Sequence, residues 1–443
     1  MSSPTTPKIA VIGSGPSGCY LAQSLLRVAP DCEIAILDRL ASPFGLVRYG
    51  VAADHQHTKA ITRQFDRLFQ HDAVRFAGGI EVGRDVSLDE LRDLFDAVVI
   101  ATGLSADREL GVPGAELPGV IGAGAITRAL NAHPDEGAAL PELGSDVVII
   151  GGGNVALDVL RFLVKGRADY EGSDVADAAL DSYLAAPAER VTLVSRSAAP
   201  DSKGDPQMLK ELATLPRAVY SSPDPVAPGA AARLARVAAG RVSAISEMVA
   251  PERARFDGPE VTLRFGLIPL RVRGDRRVEA VEFAADDEVV AVPATSVITA
   301  IGFATQRDHA LAALTAEGAE SGRIEPGLYR TGWAKRGPRG AIPENRACAR
   351  AVADEIAADL VDGSLSASSS APGFDGLPSE VRDRAIGYEQ WLRLDEHERS
   401  IAHSGRVRHK LPDHELMVAV ARGATAEDPR TSSATLHQRG SQL

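Results

Sequence analysis

One arrangement recurs in this chain and limits its fold more than anything else in it: a short apolar strand, a glycine turn and then a helical pattern. It first appears as Lys8-Ile9-Ala10-Val11-Ile12, which stops at Gly13 and gives way to the pattern Tyr20-Leu21-Ala22 to Leu25-Leu26. A further strand, Glu33 to Leu37, ends at Asp38, and another apolar run, Ala97 to Ala101, is closed by Thr102-Gly103. Continuous apolar strands joined through helices belong to parallel sheets covered on both faces. The move is repeated at Asp146 to Ile150, followed by Gly151-Gly152-Gly153-Asn154 and a helix from Val155 through Leu160 to Val164. Its next strands are read at Arg190 to Val194 and at Ser296 to Ala300, the latter running into Ile301-Gly302-Phe303-Ala304.

The first turn, Gly13-Ser14-Gly15-Pro16-Ser17-Gly18, fits G-x-G-x-x-G. In that spacing the first glycine makes the tight turn, the second admits a pyrophosphate to the backbone, and the third lets helix pack on strand. The phosphates then rest on a helix N-terminus. Asp38 closes the next strand, where an acid accepts hydrogen bonds from the ribose of the adenosine half. The second turn, Gly151-x-Gly153-x-x-Ala156, has the G-x-G-x-x-A form, so the chain is expected to take two dinucleotides. After the second site's next strand the sequence reads Ser195-Arg196-Ser197, with no acid. An arginine with flanking hydroxyls suits a 2′-phosphate and favours NADP(H) over NAD(H).

With 443 residues, 44% of them hydrophobic, the chain has material for two or three domains with real cores. A net charge of -12 argues against bulk binding to nucleic acid or anionic membrane, both of which reward a basic face. Arginine outnumbers lysine throughout, which lowers the weight of any single arginine as a functional signal. Cys19, Cys32 and Cys348 lie far apart and form no C-x-x-C pair, so neither a zinc site, a cluster nor a redox dithiol is expected. Redox chemistry must come from a cofactor. Met1 to Pro7 are small and polar, without an apolar leader, and the chain is read as cytoplasmic. The Ser- and Ala-rich stretch from Gly363 to Pro372 reads as a connector, and the polar residues after Arg422 as a frayed end.

Several further blocks resemble the adrenodoxin reductase type of ferredoxin–NADP(+) reductase. They are Phe44-Gly45-Leu46-Val47-Arg48-Tyr49-Gly50-Val51-Ala52 with Asp54-His55, then Ala101-Thr102-Gly103 with Asp107-Arg108, then Asn131-Ala132-His133-Pro134 and Gly153 to Val159. A helix is read around Ser173 to Asp177 on the same similarity. The most specific block is Gly332-Trp333-Ala334-Lys335-Arg336-Gly337-Pro338-Arg339-Gly340-Ala341-Ile342 with Asn345. The resemblance covers residues 8 to about 215 and 296 to about 422 and leaves Pro216 to Arg277 unmatched. It implies an α/β fold of two Rossmann-like domains, three-layered and glutathione-reductase-like, with an NADP domain inserted in an FAD domain. The boundaries that follow are 1–103 and 329–443 for the FAD domain and 104–328 for the insertion.

The same resemblance implies that Gly13, Gly15, Ser17, Gly18, Asp38, Leu46 and Val82 lie against FAD, with Trp333, Gly340, Ala341 and Ile342 near its isoalloxazine. Arg108, Gly153, Asn154, Val155, Ala156, Arg196 and Glu211 would face the NADP, and Gly340 would touch both cofactors. The family commonly offers two adjacent arginines to the 2′-phosphate, whereas the second position here is Ser197, with Lys203 as a substitute charge. His55 and Asp158 resemble a pair beside flavin and nicotinamide that shapes hydrogen bonding and proton supply. On residues alone, His55 is equally an ordinary loop histidine and Asp158 an acid that stabilises the first turns of its helix through the dipole. Arg48 and Lys335-Arg336 read either as charge near the flavin or as a solvated basic face.

The implied activity is a two-electron donor feeding a one-electron iron–sulfur acceptor through a flavin, with NADPH and a ferredoxin as partners of a monomer. Such a reaction asks the protein for positioning more than for nucleophiles or metals. The competing readings are a disulfide reductase, which lacks its C-x-x-C here, and a glutamate-synthase-like reductase subunit, which lacks its cluster cysteines. Beside these stand an NADH-preferring flavin diaphorase or quinone reductase and a non-catalytic flavin-binding interaction module.

Overall fold

The structure is a computed structural model that describes residues 6–224, 234–250, 257–286, 288–307, 309–340, 342–368 and 371–424. The chain divides into two compact units. The first comprises Met1–Val51, His55–Ala106 and Phe303–Leu443, and the second comprises Ala52–Asp54 and Asp107–Gly302.

The first unit is organised by Lys8–Ile12, whose residues alternate between two cores. Ile9 and Val11 pack with Leu21 and Leu25 of the helix Pro16–Val28, while Ala10 and Ile12 pack on the other face with Leu91 and Val98. A strand buried on both sides has no use for polar residues, which is why it reads as an unbroken apolar run. The sheet order is Arg323–Glu325, Leu328–Arg330, Ala97–Ile100, Lys8–Ile12, Glu33–Asp38 and Val74–Gly78. All pairings are parallel except that of the first two strands. Lys8–Ile12 therefore lies where the strand order reverses, the point at which sheets of this kind take ligands.

The second unit repeats the plan. Its sheet runs Val120–Gly122, Ser296–Thr299, Asp146–Ile150, Arg190–Ser195, Glu260–Phe265 and Val219–Ser221, and every pairing is parallel. Val147 and Ile149 enter one core, Val148 and Ile150 the other. Ile268–Arg273, Ala280–Ala285 and Glu288–Pro293 form a separate antiparallel sheet.

Two expectations change. The chain is back in the first unit from Phe303, not from 329: Phe303 stacks on Trp333, Leu311 enters the core that holds Ile12 and Val98, the Ala316 amide donates to the Ala334 oxygen, and Leu328–Arg330 pairs with Ala97–Ile100. Ser173 to Ala176 are not helical; the helix spans Asp177–Ala185, with Asp177 in its first turn, where an acid complements the dipole. Ala341 and residues 425–443 lie outside the described residues. Among the described residues no helix is long and apolar enough to cross a membrane.

Candidate functional site

In the first unit the glycine turn is fixed by close backbone approach. Gly13 has φ +109°, and a Cβ there would stand 2.6 Å from the Ala101 carbonyl oxygen, while one at Gly18 would stand 2.0 Å from the Gly13 oxygen. Only glycine fits either place. The helix Pro16–Val28 starts at this turn, with no side chain among the described residues capping its first amides. Asp38 is held from three sides: its carboxylate accepts the Ser14 amide at 2.9 Å, the Ser14 hydroxyl at 2.5 Å and the Leu40 amide at 3.0 Å.

A second layer closes over this turn. Phe44 and Gly45 both have positive φ, +82° and +48°, and a Cβ on Gly45 would come within 3.1 Å of the Gly15 Cα. The Phe44 amide donates to the Ser14 oxygen at 3.1 Å. Leu46 opens the short helix Leu46–Tyr49 and is half-buried; buried Val82 shares a core with Ile12 and Leu37.

The tryptophan block arrives from the far end of the chain. The buried Ser17 hydroxyl donates to Asn345 Oδ1 at 3.3 Å, and Gly332, at φ +64°, passes so near that a Cβ would lie 1.9 Å from Ser17 Oγ. Trp333 stacks on Phe303 with centroids 5.4 Å apart, and its indole N–H points at the Gly340 oxygen at 3.4 Å. Gly340 is exposed with φ +80°, and Ile342 begins the helix Ile342–Asp362. His55 is half-buried at the start of Gln56–Lys59, with its carbonyl accepting the Lys59 amide at 3.1 Å.

The solvated-face reading of the basic residues is overturned for two of the three. Arg48 is 4% and Lys335 6% exposed. Burial pushes the Arg48 guanidinium down, but Glu398, 2.6 Å away, outweighs it and holds the group charged.

In the second unit Gly151, at φ +149°, would place a Cβ 2.3 Å from the Ala300 oxygen, and Gly152 one 2.6 Å from Ser195 Oγ. Around Gly153, by contrast, no described atom lies within 4 Å of a Cβ. The helix Asn154–Val164 starts there, with Val155 half-buried and Ala156 fully buried. Asn154 Oδ1 accepts the Asp205 amide at 2.8 Å, which ties the turn to the loop bearing Lys203. Arg196 and Lys203 are both exposed; Arg108 is half-buried, with its amide donating to Gly302 at 3.0 Å.

Two features escaped the sequence. Arg241, in the helix Arg236–Met248, donates to the Gly204 oxygen at 2.8 Å and the Pro200 oxygen at 3.0 Å, so the unmatched stretch shapes this loop. Arg161, 2% exposed, gathers Asp54 at 2.5 Å, Asp158 at 3.0 Å and Glu211 at 2.7 Å, and Lys165 joins Asp54. Burial pushes the Arg161 guanidinium down, yet the three carboxylates outweigh it. A cavity of about 20 Å³ bordered by Asp54, Asn131, Asp158, Arg161 and Tyr170 sits beside this cluster, room for a single water. The i, i+3 spacing of Asp158 and Arg161 was the available signal, weak in so arginine-rich a chain.

A model of the pyridine nucleotide-disulphide oxidoreductase family matches residues 7–212. Cindoxin reductase of Citrobacter braakii is 39% identical over 440 residues, which cover 98% of this chain and 95% of the relative. NADPH:adrenodoxin oxidoreductase of Drosophila melanogaster is 30% identical, covering 95% and 94%. The solved structure of Mycobacterium tuberculosis FprA in complex with NADPH is 28% identical with a TM-score of 0.85, over 94% of this chain and 100% of that one. The chain belongs to the adrenodoxin reductase-type ferredoxin–NADP(+) reductase family. Within it, no thiol of this chain is placed for chemistry: Cys19, Cys32 and Cys348 are free and buried. Burial pushes the Cys19 thiol well up and that of Cys32 up to about 11, so neither offers a thiolate at neutral pH.

Proposed function

We propose that this protein passes electrons from NADPH through a bound FAD to a ferredoxin-type iron–sulfur protein. The observation that carries the reading is a pair of glycine turns, each at the carboxyl end of a central parallel strand, of which the first is covered by Gly45 and the second is left open at Gly153. A covered turn suits a cofactor that stays, an open one a donor that exchanges. FAD, when bound, supplies the conversion between a two-electron donor and a one-electron acceptor. The solved relative binds NADPH, and other relatives are named for ferredoxin and adrenodoxin.

The residues fit this assignment. Gly13, Gly15 and Gly18 give the FAD pyrophosphate its backbone cradle, Asp38 receives the ribose, and Leu46 and Val82 supply apolar wall. Ser17, Trp333, Gly340 and Ile342 border the flavin. Gly153 to Ala156 cradle the NADP pyrophosphate, and Arg108 and Arg196 face its phosphates. Asp158 and Glu211, oriented by Arg161, set the polar environment of the donor, with His55 as their counterpart in the first unit. The reading keeps the reaction in the cytoplasm. Ser197, where a second arginine is common in the family, favours one alternative: a donor preference shifted toward NADH.

The test is anaerobic. The purified protein is mixed with NADPH and, separately, NADH, while bleaching of the flavin band is followed, and then a ferredoxin is added. Faster bleaching by NADPH, with electrons passing on to the ferredoxin, is the expected result. A tie or an advantage for NADH moves the assignment to the diaphorase reading, and a bound flavin that neither donor bleaches leaves only an interaction module.

A further inference from the structure

The C-terminal helices Tyr388–Ser400 and His414–Ala421 belong to neither glycine turn, yet they meet the loop that covers the first one. Arg48 Nη2 donates to both oxygens of Glu398, at 2.6 and 2.7 Å, and Glu398 is fully buried. The same carboxylate accepts the Leu411 amide at 3.1 Å, and the buried Lys410 ammonium donates to the Arg48 carbonyl at 3.2 Å. The Arg48 guanidinium also lies 4.9 Å from the ring centroid of Trp391. A buried ion pair is rarely worth more than apolar packing of the same volume; what it adds is a defined position.

That position bears on the glycine turn. The amides of Arg48 and Tyr49 donate to the Gly45 oxygen at 3.0 Å each, so the short helix and Gly45 move as one piece. Phe44, a non-glycine residue in the left-handed region, meets Trp391 edge-on at 6.0 Å, and the Ala41 amide donates to His414 Nε2 at 3.0 Å. Backbone strain of this kind persists only where its surroundings over-determine it. Here the C-terminal helices supply much of that restraint.

We propose that residues 388–421 form a clamp on the flavin site, with Glu398 as its positioning residue: through Arg48 it holds the Phe44–Gly45 turn against Gly15 and thereby sets how tightly FAD is retained. The proposal rests on the FAD reading above. Glu398 touches no cofactor; it acts through Arg48.

The test uses the full chain. Glu398→Gln keeps the side-chain shape and removes the charge. The FAD dissociation constant is expected to rise at least about tenfold, and the visible circular dichroism of the bound flavin to change, while NADP(+) affinity stays within about twofold. Lys410→Met, which deletes one hydrogen bond to the Arg48 carbonyl, is expected to raise it about threefold and serves if the first variant does not fold. Folded variants with unchanged FAD affinity and dichroism would overturn the clamp, even if their melting temperature fell. Absence of FAD from the unaltered protein would overturn the flavin reading itself.

Discussion

The two glycine turns are built to one plan and finished differently. Each starts with a glycine at positive φ pressed against a neighbouring strand end, Gly13 on Ala101 and Gly151 on Ala300. They part at the second glycine: Gly15 has the Gly45 Cα at 4.0 Å from a built Cβ, whereas no described atom lies within 4 Å at Gly153. The acids differ too. Asp38 is clasped by Ser14 and Leu40 at the end of its strand, while the corresponding strand of the second unit runs out to Ser195 and the exposed Arg196. The same backbone device thus recurs with different surroundings: Gly45 approaches the second glycine of the first turn, whereas the loop at the second turn lies on Gly152 and Asn154, with Asn154 Oδ1 accepting the Asp205 amide, and leaves Gly153 clear.

Removing the buried cation on the helix that follows the second turn should separate the two most sharply. Arg161→Met leaves Asp54, Asp158 and Glu211 without their shared cation and should destabilise the protein by on the order of 3 kcal/mol in urea. NADP(+) affinity should fall with it while the folded fraction keeps its FAD; loss of both ligands together would contradict the independence of the two sites.

Next in size is a matched pair of alanines. Gly45→Ala puts a side chain at φ +48° against Gly15 and should cost about 1–2 kcal/mol of stability, together with weaker FAD retention. Gly153→Ala meets open space and should leave the melting temperature unchanged, while the new methyl group raises the NADP(+) dissociation constant roughly tenfold. Equal stability losses would erase the difference drawn between the turns.

Arg196→Ala removes an exposed guanidinium and should leave stability alone while lowering the ratio of kcat/KM for NADPH over NADH by roughly tenfold. Ser197→Arg should move the ratio the other way. No response to either would take the 2′-phosphate away from this strand end.

The smallest effect is one of pH. Burial alone would raise the Asp395 carboxyl, but Arg408 and Arg399 hold it below its usual value. Its stabilisation is therefore complete above the unfolded carboxyl pKa and is lost as pH falls through the lowered folded one. Thermal melts in this acid range should show Asp395→Asn with the flatter pH dependence, and parallel curves for the two proteins would deny Asp395 that role.

Local rules made the sheets and turns legible. Ile9 and Val11 pack on one face and Ala10 and Ile12 on the other, and an unbroken apolar run is what such a strand requires; the glycine spacing follows from backbone approach alone. What stayed hidden depends on distant partners. Arg48 looks like any surface arginine until Glu398 is brought to it across the fold, and Arg241 lies in a stretch without a motif. The chain's return to its first unit at Phe303 is invisible locally, because the contacts that mark it, Phe303 on Trp333 and Leu328–Arg330 on Ala97–Ile100, are made with residues distant in sequence. Ser173 and Asp174 are residue types that cap helices, so the sequence sets the start too early; the helix begins at Asp177 after Ala176, whose side chain cannot cap.

The difference between the turns is tested most directly by exchange. The purified protein, loaded with FAD and NADP(+), is dialysed against cofactor-free buffer, and the dinucleotides that remain are identified and counted. Retention of about one FAD per chain with loss of NADP(+) is the predicted result. Departure of both at similar rates, or retention of NADP(+) with loss of FAD, would contradict the account.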